Sequence, residues 1–201
     1  MTHQFAELAF TPAVQVFQER MGSRGAYAKA EGGPVHHDRL GEAEAGFIAA
    51  RDSFYMATVS ETGGPYIQHR GGPAGFVRVL DEKTLGFSDY RGNRQYVSLG
   101  NLSRNNRVAL FFMDYSHQAR LKLLGLARPV ELDEASELAA RLAIPDYKAK
   151  VERGFLISIE AFDWNCSQHM TPRFTAAEVS AAIAPLQRRI REIEKLVERE
   201  A

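Results

Sequence analysis

The chain has 201 residues, and its 25 Lys and Arg balance 25 Asp and Glu, so it carries no formal net charge at pH 7. That balance argues against a nucleic-acid partner held over a broad basic surface, and 45% apolar with 25% charged residues is the make-up of an ordinary globular protein. No run approaches the roughly 18 apolar residues of a membrane-spanning helix, and Met1 to Glu7 lack the basic and apolar parts of a secretory leader, so the expectation is a cytoplasmic protein.

In chain order, Thr11-Pro12 opens a helix with proline at its first position, and Val14, Phe17 and Met21 follow at spacings of three and four. Residues 22 to 33 hold four glycines and read as a loop. A second helix starts near Asp38, with Leu40, Ala43, Phe47 and Ala50 on one stripe. From residue 53 the period becomes that of strands: Phe54 to Val59, then a turn at Glu61 to Pro65, then Tyr66 to His69. Phe76 to Leu80 and Leu85 to Ser88 read as a hairpin about the loop Asp81 to Thr84. Residues 93 to 103 read as a short helix capped by Asn93. Arg107 to Met113 is a nearly continuous apolar run, as in a central strand covered on both faces. Gln118 to Ala127 and Phe155 to Trp164 add strands, with a helix over Asp133 to Ala143 between them.

With short connections and one long intervening helix, a parallel sheet is disfavoured. The expected fold class is mainly β: a six-stranded antiparallel β-barrel with flanking helices. Three regions follow: a helical extension over 1–50, the barrel over 51–165, and a tail over 166–201. In the tail, Thr175 to Glu178 forms a capping box, Pro185 kinks or restarts the helix, and Leu186, Ile190, Ile193 and Val197 recur at 4, 3 and 4. Two heptads are too short to stand alone, so this helix packs on the barrel or on a second subunit.

Charge is unevenly placed. Between Pro65 and Met113 there are seven bases and three acids (7 − 3 = +4), and from Tyr90 to Met113 four arginines and no acid. Glycines 71, 72, 75 and 92 lie beside them. Glycine lets backbone N–H groups approach a ligand, and arginine matches phosphate oxygens as a planar fork. Either this is a site for one small anion on a β scaffold, or the arginines form a solvated face.

The wording around these residues supplies a resemblance. Gln68-His69-Arg70-Gly71-Gly72-Pro73, Gly86-Phe87-Ser88-Asp89-Tyr90-Arg91-Gly92-Asn93-Arg94-Gln95, Asn105-Asn106-Arg107-Val108-Ala109-Leu110-Phe111-Phe112 and Arg120-Leu121-Lys122-Leu123-Leu124-Gly125 stand in the order seen in the pyridoxamine 5′-phosphate oxidase family. The resemblance spans roughly residues 45 to 165. It implies an FMN-binding split barrel, a homodimer with flavin at the subunit interface, and a small-molecule substrate. It implies that Asn93 and Arg94 grip the flavin phosphate and that Phe87 and Ser88 lie along the ribityl chain and ring. Arg120 stands where the family has Gln, and a cation there would stabilise the reduced ring. The family's third-strand Arg falls to Arg70 or Arg78, with Arg70 favoured because a turn residue is freer to reach in. Trp164 and Arg173 resemble the family's flavin-contacting Trp and Arg. The family's Arg-Leu-His segment is absent, which points away from pyridoxamine phosphate as substrate.

Each residue also has a plainer reading: Arg94 an exposed arginine, Ser88 a small strand residue, Trp164 a core or interface aromatic, His69 and His169 structural histidines. His36-His37-Asp38 is not expected to hold a metal, because neighbours do not share a face. The single cysteine, Cys166, excludes an internal disulfide and lacks an activating base. Two classes remain: an FMN-dependent oxidoreductase, or a non-catalytic flavin, haem or deazaflavin binding or redox-sensing module on the same fold.

Overall fold

The computed structural model describes residues 2–30, 35–133, 136–164 and 168–200. Its elements run β1 (Thr2–His3), α1 (Gln4–Ala9), α2 (Pro12–Arg20), α3 (Arg24–Tyr27), β2 (Val35–His36) and α4 (Glu42–Ala49). Then come β3 (Ser53–Val59), β4 (Pro65–Gly71), β5 (Arg78–Asp81), β6 (Thr84–Tyr90) and α5 (Val97–Leu102). The rest are β7 (Arg107–Asp114), β8 (Ala119–Val130), α6 (Glu137–Leu142), β9 (Val151–Trp164) and α7 (Ala176–Glu200). Helices and an antiparallel sheet together make a mixed fold.

Every second residue of β3 is buried: Phe54, Met56 and Thr58. In β7 the buried set is Val108, Leu110, Phe112 and Asp114. This period of two turns one face of the sheet onto a core where Phe54 lies 4.9 Å from Phe112, 5.3 Å from Phe87 and 5.9 Å from Phe76 between ring centroids. The apolar run in β7 is therefore covered on one face and not on both: Ala109 is exposed, and Phe111 and Met113 are only partly covered. An antiparallel sheet can leave its second face wet.

The sheet has seven strands, in the order β4-β3-β7-β8-β9-β6-β5. The expected barrel has six strands, although the segments read from the sequence number seven; all seven are hydrogen-bonded in, with β4 and β5 at the two edges. The long strands β8 and β9 carry a bulge at Leu124/Gly125. A separate pair of parallel strands joins β1 to β2.

Element boundaries move for identifiable reasons. The second helix begins at Glu42 and not near Asp38: the Asp38 carboxylate is taken by Lys83 Nζ at 2.9 Å, and Gly41 N–H donates to the Glu44 carboxylate. The stretch read as a loop from residue 22 contains α3. The helix expected from Asp133 starts at Glu137, where the Ser136 hydroxyl accepts from Ala139 N–H. Residues 93 to 96 are loop, and α5 begins only at Val97.

The chain divides into two compact units, Met1–Met113 with Arg120–Cys166, and Asp114–Ala119 with Ser167–Ala201. The second holds α7, a 25-residue helix that runs unbroken through Pro185. Its start is fixed by the Thr175/Glu178 capping box, with Thr175 N–H donating to Glu178 Oε2 at 2.7 Å and Glu178 N–H to Thr175 Oγ1 at 3.2 Å. Among the described residues no helix is long and apolar enough to cross a membrane.

Candidate functional site

Three strand ends and one loop of the first unit build the site. Asp89 on β6 lies directly across from Arg153 on β9, and Arg153 Nη1 donates to Asp89 Oδ2 at 2.9 Å. Arg70, near the end of β4, donates from Nη1 to Asp89 Oδ1 at 2.6 Å. Strands β4 and β6 are far apart in sheet order, so this contact closes only because the sheet curls. All three side chains are largely buried: 14% of Arg70, 11% of Asp89 and 15% of Arg153 is exposed. The Arg70 guanidinium lies 5.4 Å from the centre of the Phe155 ring, and its Nε is buried with no hydrogen-bond partner.

The loop from Arg91 to Tyr96 forms the facing wall. Arg94 and Tyr96 both take left-handed backbone, at φ of 60° and 54°. Arg94 Nε donates to Tyr96 Oη at 3.0 Å, and Tyr96 Oη donates to Glu152 Oε1 at 3.2 Å. Arg91 pairs with the same carboxylate oxygen at 3.2 Å. The Arg153 guanidinium sits 5.3 Å over the Tyr96 ring. Behind the loop, Ser98 Oγ donates to Gln68 Oε1 at 2.9 Å, and Asn101 Nδ2 to Thr58 Oγ1 at 2.9 Å.

Between these walls is a cavity of about 250 Å³ whose lining includes Gln68, Arg70, Asn93, Arg94, Tyr96 and Glu152. A second cavity of about 180 Å³ reaches Phe76, Phe87 and Ser88, and the two share Gln68, Arg70, Asp89, Tyr90 and Gly92. Tyr90 is held above the usual phenol pKa first by burial, then by Tyr147, against a smaller opposing pull from Arg78. It stays protonated at neutral pH. Four guanidiniums (Arg70, Arg91, Arg94, Arg153) face two carboxylates (Asp89, Glu152), a local excess of 4 − 2 = +2. Forked donors in a partly dry wall suit a small anionic group such as a phosphate ester.

The profile of the pyridoxamine 5′-phosphate oxidase family matches residues 40–181. The chain belongs to that family. The seven-stranded antiparallel sheet is of the split-barrel type that pyridoxamine 5′-phosphate oxidase-like proteins share. Among solved structures, the HupZ protein of Group A Streptococcus is similar over 67% of this chain and 99% of its own, at 16% identity and a TM-score of 0.47. An FMN-binding protein from Syntrophomonas wolfei covers 60% of this chain and 81% of its own, at 12% identity and 0.45. HutZ, a haem storage protein from Vibrio cholerae, covers 62% and 94%, at 17% identity and 0.41. No curated protein matches the sequence.

Of the residues read from this pyridoxamine 5′-phosphate oxidase-like sequence, the structure gathers Arg70, Phe87, Ser88, Asn93 and Arg94 around the two cavities. Phe87 is mostly core, stacked 5.3 Å from Phe155. The Ser88 hydroxyl is committed, donating to the Leu142 carbonyl at 3.2 Å. Asn93 does not open a helix; its Oδ1 accepts from Gln95 N–H within the loop. Arg120, Trp164 and Arg173 line neither cavity. Arg120 is partly buried on β8. Trp164 Nε1 donates to Glu44 at 2.8 Å, with Phe47 edge-on to its ring. Arg173 lies over Tyr115 in the second unit.

Arg78, the alternative to Arg70, donates to the Ala143 carbonyl and lines neither cavity. His69 lines the smaller cavity. His36 and His37 pack against the His3 ring, and among the described residues no group of three His, Cys, Asp or Glu is placed to hold a metal. Cys166 lies outside the described residues. Sequence reasoning did not assign a role to Gln68, Tyr96, Glu152 or Arg153; the one available signal was charge at the strand ends, Asp89 at the end of β6 and Glu152-Arg153 at the start of β9.

Proposed function

We propose that this protein binds FMN, as a homodimer with the flavin at the subunit seam, and acts as an oxidoreductase on a small substrate other than pyridoxamine 5′-phosphate. The observation that carries the reading is Arg70: a buried guanidinium with an unpartnered Nε, set in the wall common to both cavities. A buried donor without a partner costs stability unless something fills its place. The donor set fits a phosphate monoester, with Arg94 and Asn93 on the loop and Arg70 beneath. Family membership supports the same ligand.

In this reading Arg94 and Asn93 anchor the phosphate, while Phe87 and Ser88 flank the ribityl chain and ring. Arg120, Trp164 and Arg173 act on the partner's flavin rather than the chain's own. FMN supplies two-electron chemistry at its ring, and the protein supplies binding, orientation and electrostatics. Tyr90 remains a neutral donor, and the Asp89 carboxylate is occupied by its hydrogen bonds from Arg70 and Arg153. No side chain is assigned as acid or base.

The test is the visible spectrum of freshly isolated protein, with mass identification of what it releases on denaturation. The expected result is a flavin spectrum and one FMN per chain, with affinity lowered about tenfold or more in Arg94→Ala, as for loss of a charge-assisted hydrogen bond. A colourless protein that takes up no FMN in titration refutes the reading. A Soret band or a released deazaflavin refutes FMN in favour of another ligand. Bound FMN that NADH, NADPH and a substrate panel never reduce would leave a binding or sensing module in place of an enzyme.

A further inference from the structure

Along α7, Val179, Ile183, Leu186, Ile190, Ile193 and Val197 recur at 4, 3, 4, 3 and 4. All six are exposed, from 39% at Ile183 to 65% at Leu186. We propose that α7 pairs in parallel with α7 of a second copy of this chain, as a two-stranded coiled coil. An alternation of four and three averages 3.5 residues, the period of a supercoiled seam rather than of a straight amphipathic face. In heptad terms Ile183, Ile190 and Val197 fall at a, and Val179, Leu186 and Ile193 at d. Branched residues at every a, with Leu at the central d, favour two strands.

Charge selects the partner and its direction. Arg189 occupies g and Glu194 the following e, so a parallel second copy sets each arginine beside the other chain's glutamate. Antiparallel pairing brings g to g and e to e and loses that match. Residues 176–200 hold five bases and five acids (5 − 5 = 0), which disfavours an anionic membrane surface as the occupant. Pro185 falls at c, away from the seam, where its ring does not enter the packing. A helix of this length gains most of its stability from packing, and the six residues of this stripe are exposed.

The experiment uses the full chain with Cys166→Ser. Leu186→Cys places a thiol at a d site, which faces its own copy in a parallel pair; Arg188→Cys places one at f, on the outer face. Under mild oxidation, Leu186→Cys is expected to form a disulfide-linked dimer many-fold faster than Arg188→Cys. Glu194→Arg added to Leu186→Cys should slow that reaction, and Arg189→Glu on top should restore it. Equal rates at the two cysteines would overturn the proposal and leave the stripe to another surface. A rate indifferent to the charge reversals would overturn the parallel register. FMN binding is read separately, in the untouched cavity, so failure here is distinct from failure of the flavin reading.

Discussion

Removing Asp89 and removing Arg70 should have very different effects, although the two residues share one hydrogen bond. The Asp89 carboxylate meets Arg70 at 2.6 Å and Arg153 at 2.9 Å, with all three side chains mostly out of water. At an effective dielectric near 20, each contact is worth about 4 kcal/mol of gross attraction. Asp89→Asn forfeits both attractions and leaves two guanidiniums repelling each other in a partly dry wall. A net loss of about 3 to 5 kcal/mol follows for breaking such a cluster from its centre. Arg70→Met forfeits one attraction but also removes one guanidinium's desolvation, its repulsion with Arg153 and the unpartnered Nε. The remaining Asp89–Arg153 pair is neutral, and methionine fills the space over Phe155, so the loss should stay within about 1 kcal/mol. Urea unfolding followed by circular dichroism measures both. Equal destabilisation by the two variants, or an Asp89→Asn loss below about 1 kcal/mol, would refute the claim that one carboxylate holds two buried cations.

Two further outcomes rest on other parts of the chain. A Cβ at Gly125 would stand 2.5 Å from the Ser158 carbonyl oxygen and 3.2 Å from Ile157 Cγ2. Gly125→Ala should therefore lower the melting temperature by roughly 5 °C, as expected for overpacking worth about 1 to 3 kcal/mol in a chain of this size. Thermal unfolding checks it, and an unchanged midpoint would mean that the bulge relaxes freely. At the other end, burial first and the neighbouring His37 next hold the His3 pKa below its usual value, against the pull of Asp163, which also pairs with Lys122, and with a smaller push from His36. A lowered histidine pKa means that the unfolded segment binds the proton more readily. Its contribution is full above about pH 6.5 and is lost as pH falls through that range. Protection of the amides over residues 4–9, taken relative to the intrinsic exchange rate at each pH, should fall from pH 7.5 to pH 5.5 in the native chain and much less in His3→Gln.

What could be read from the residues was what local chemistry decides. Strands β3 and β9 announce themselves by their pattern of side chains and β7 by its apolar run, although that run hides which face is covered, and the Thr175 capping box is a four-residue pattern whose hydrogen bonds form as written. The loop before α5 could not be read this way. Its left-handed turns at Arg94 and Tyr96 carry no glycine to mark them, and they are held by contacts with Glu152 and Arg153, more than fifty positions further on. Without those contacts Asn93 looks like a cap. The Arg70–Asp89–Arg153 cluster was equally hidden, since it depends on the register of β6 against β9 and on the curl that brings β4 across. Arg94 and Asn93 were found by family resemblance, and Glu152 and Tyr96, which position Arg94, only by folding the chain.

The backbone at positions 94 and 96 costs about 1 to 2 kcal/mol per residue relative to what glycine would require there. Two glycines would relieve that cost but would also remove the contacts of Tyr96 with Arg94, Glu152 and Arg153 that hold the loop. The arginine and the phenol that stand there instead give up backbone ease for side-chain contacts, and both shape the wall of the larger cavity.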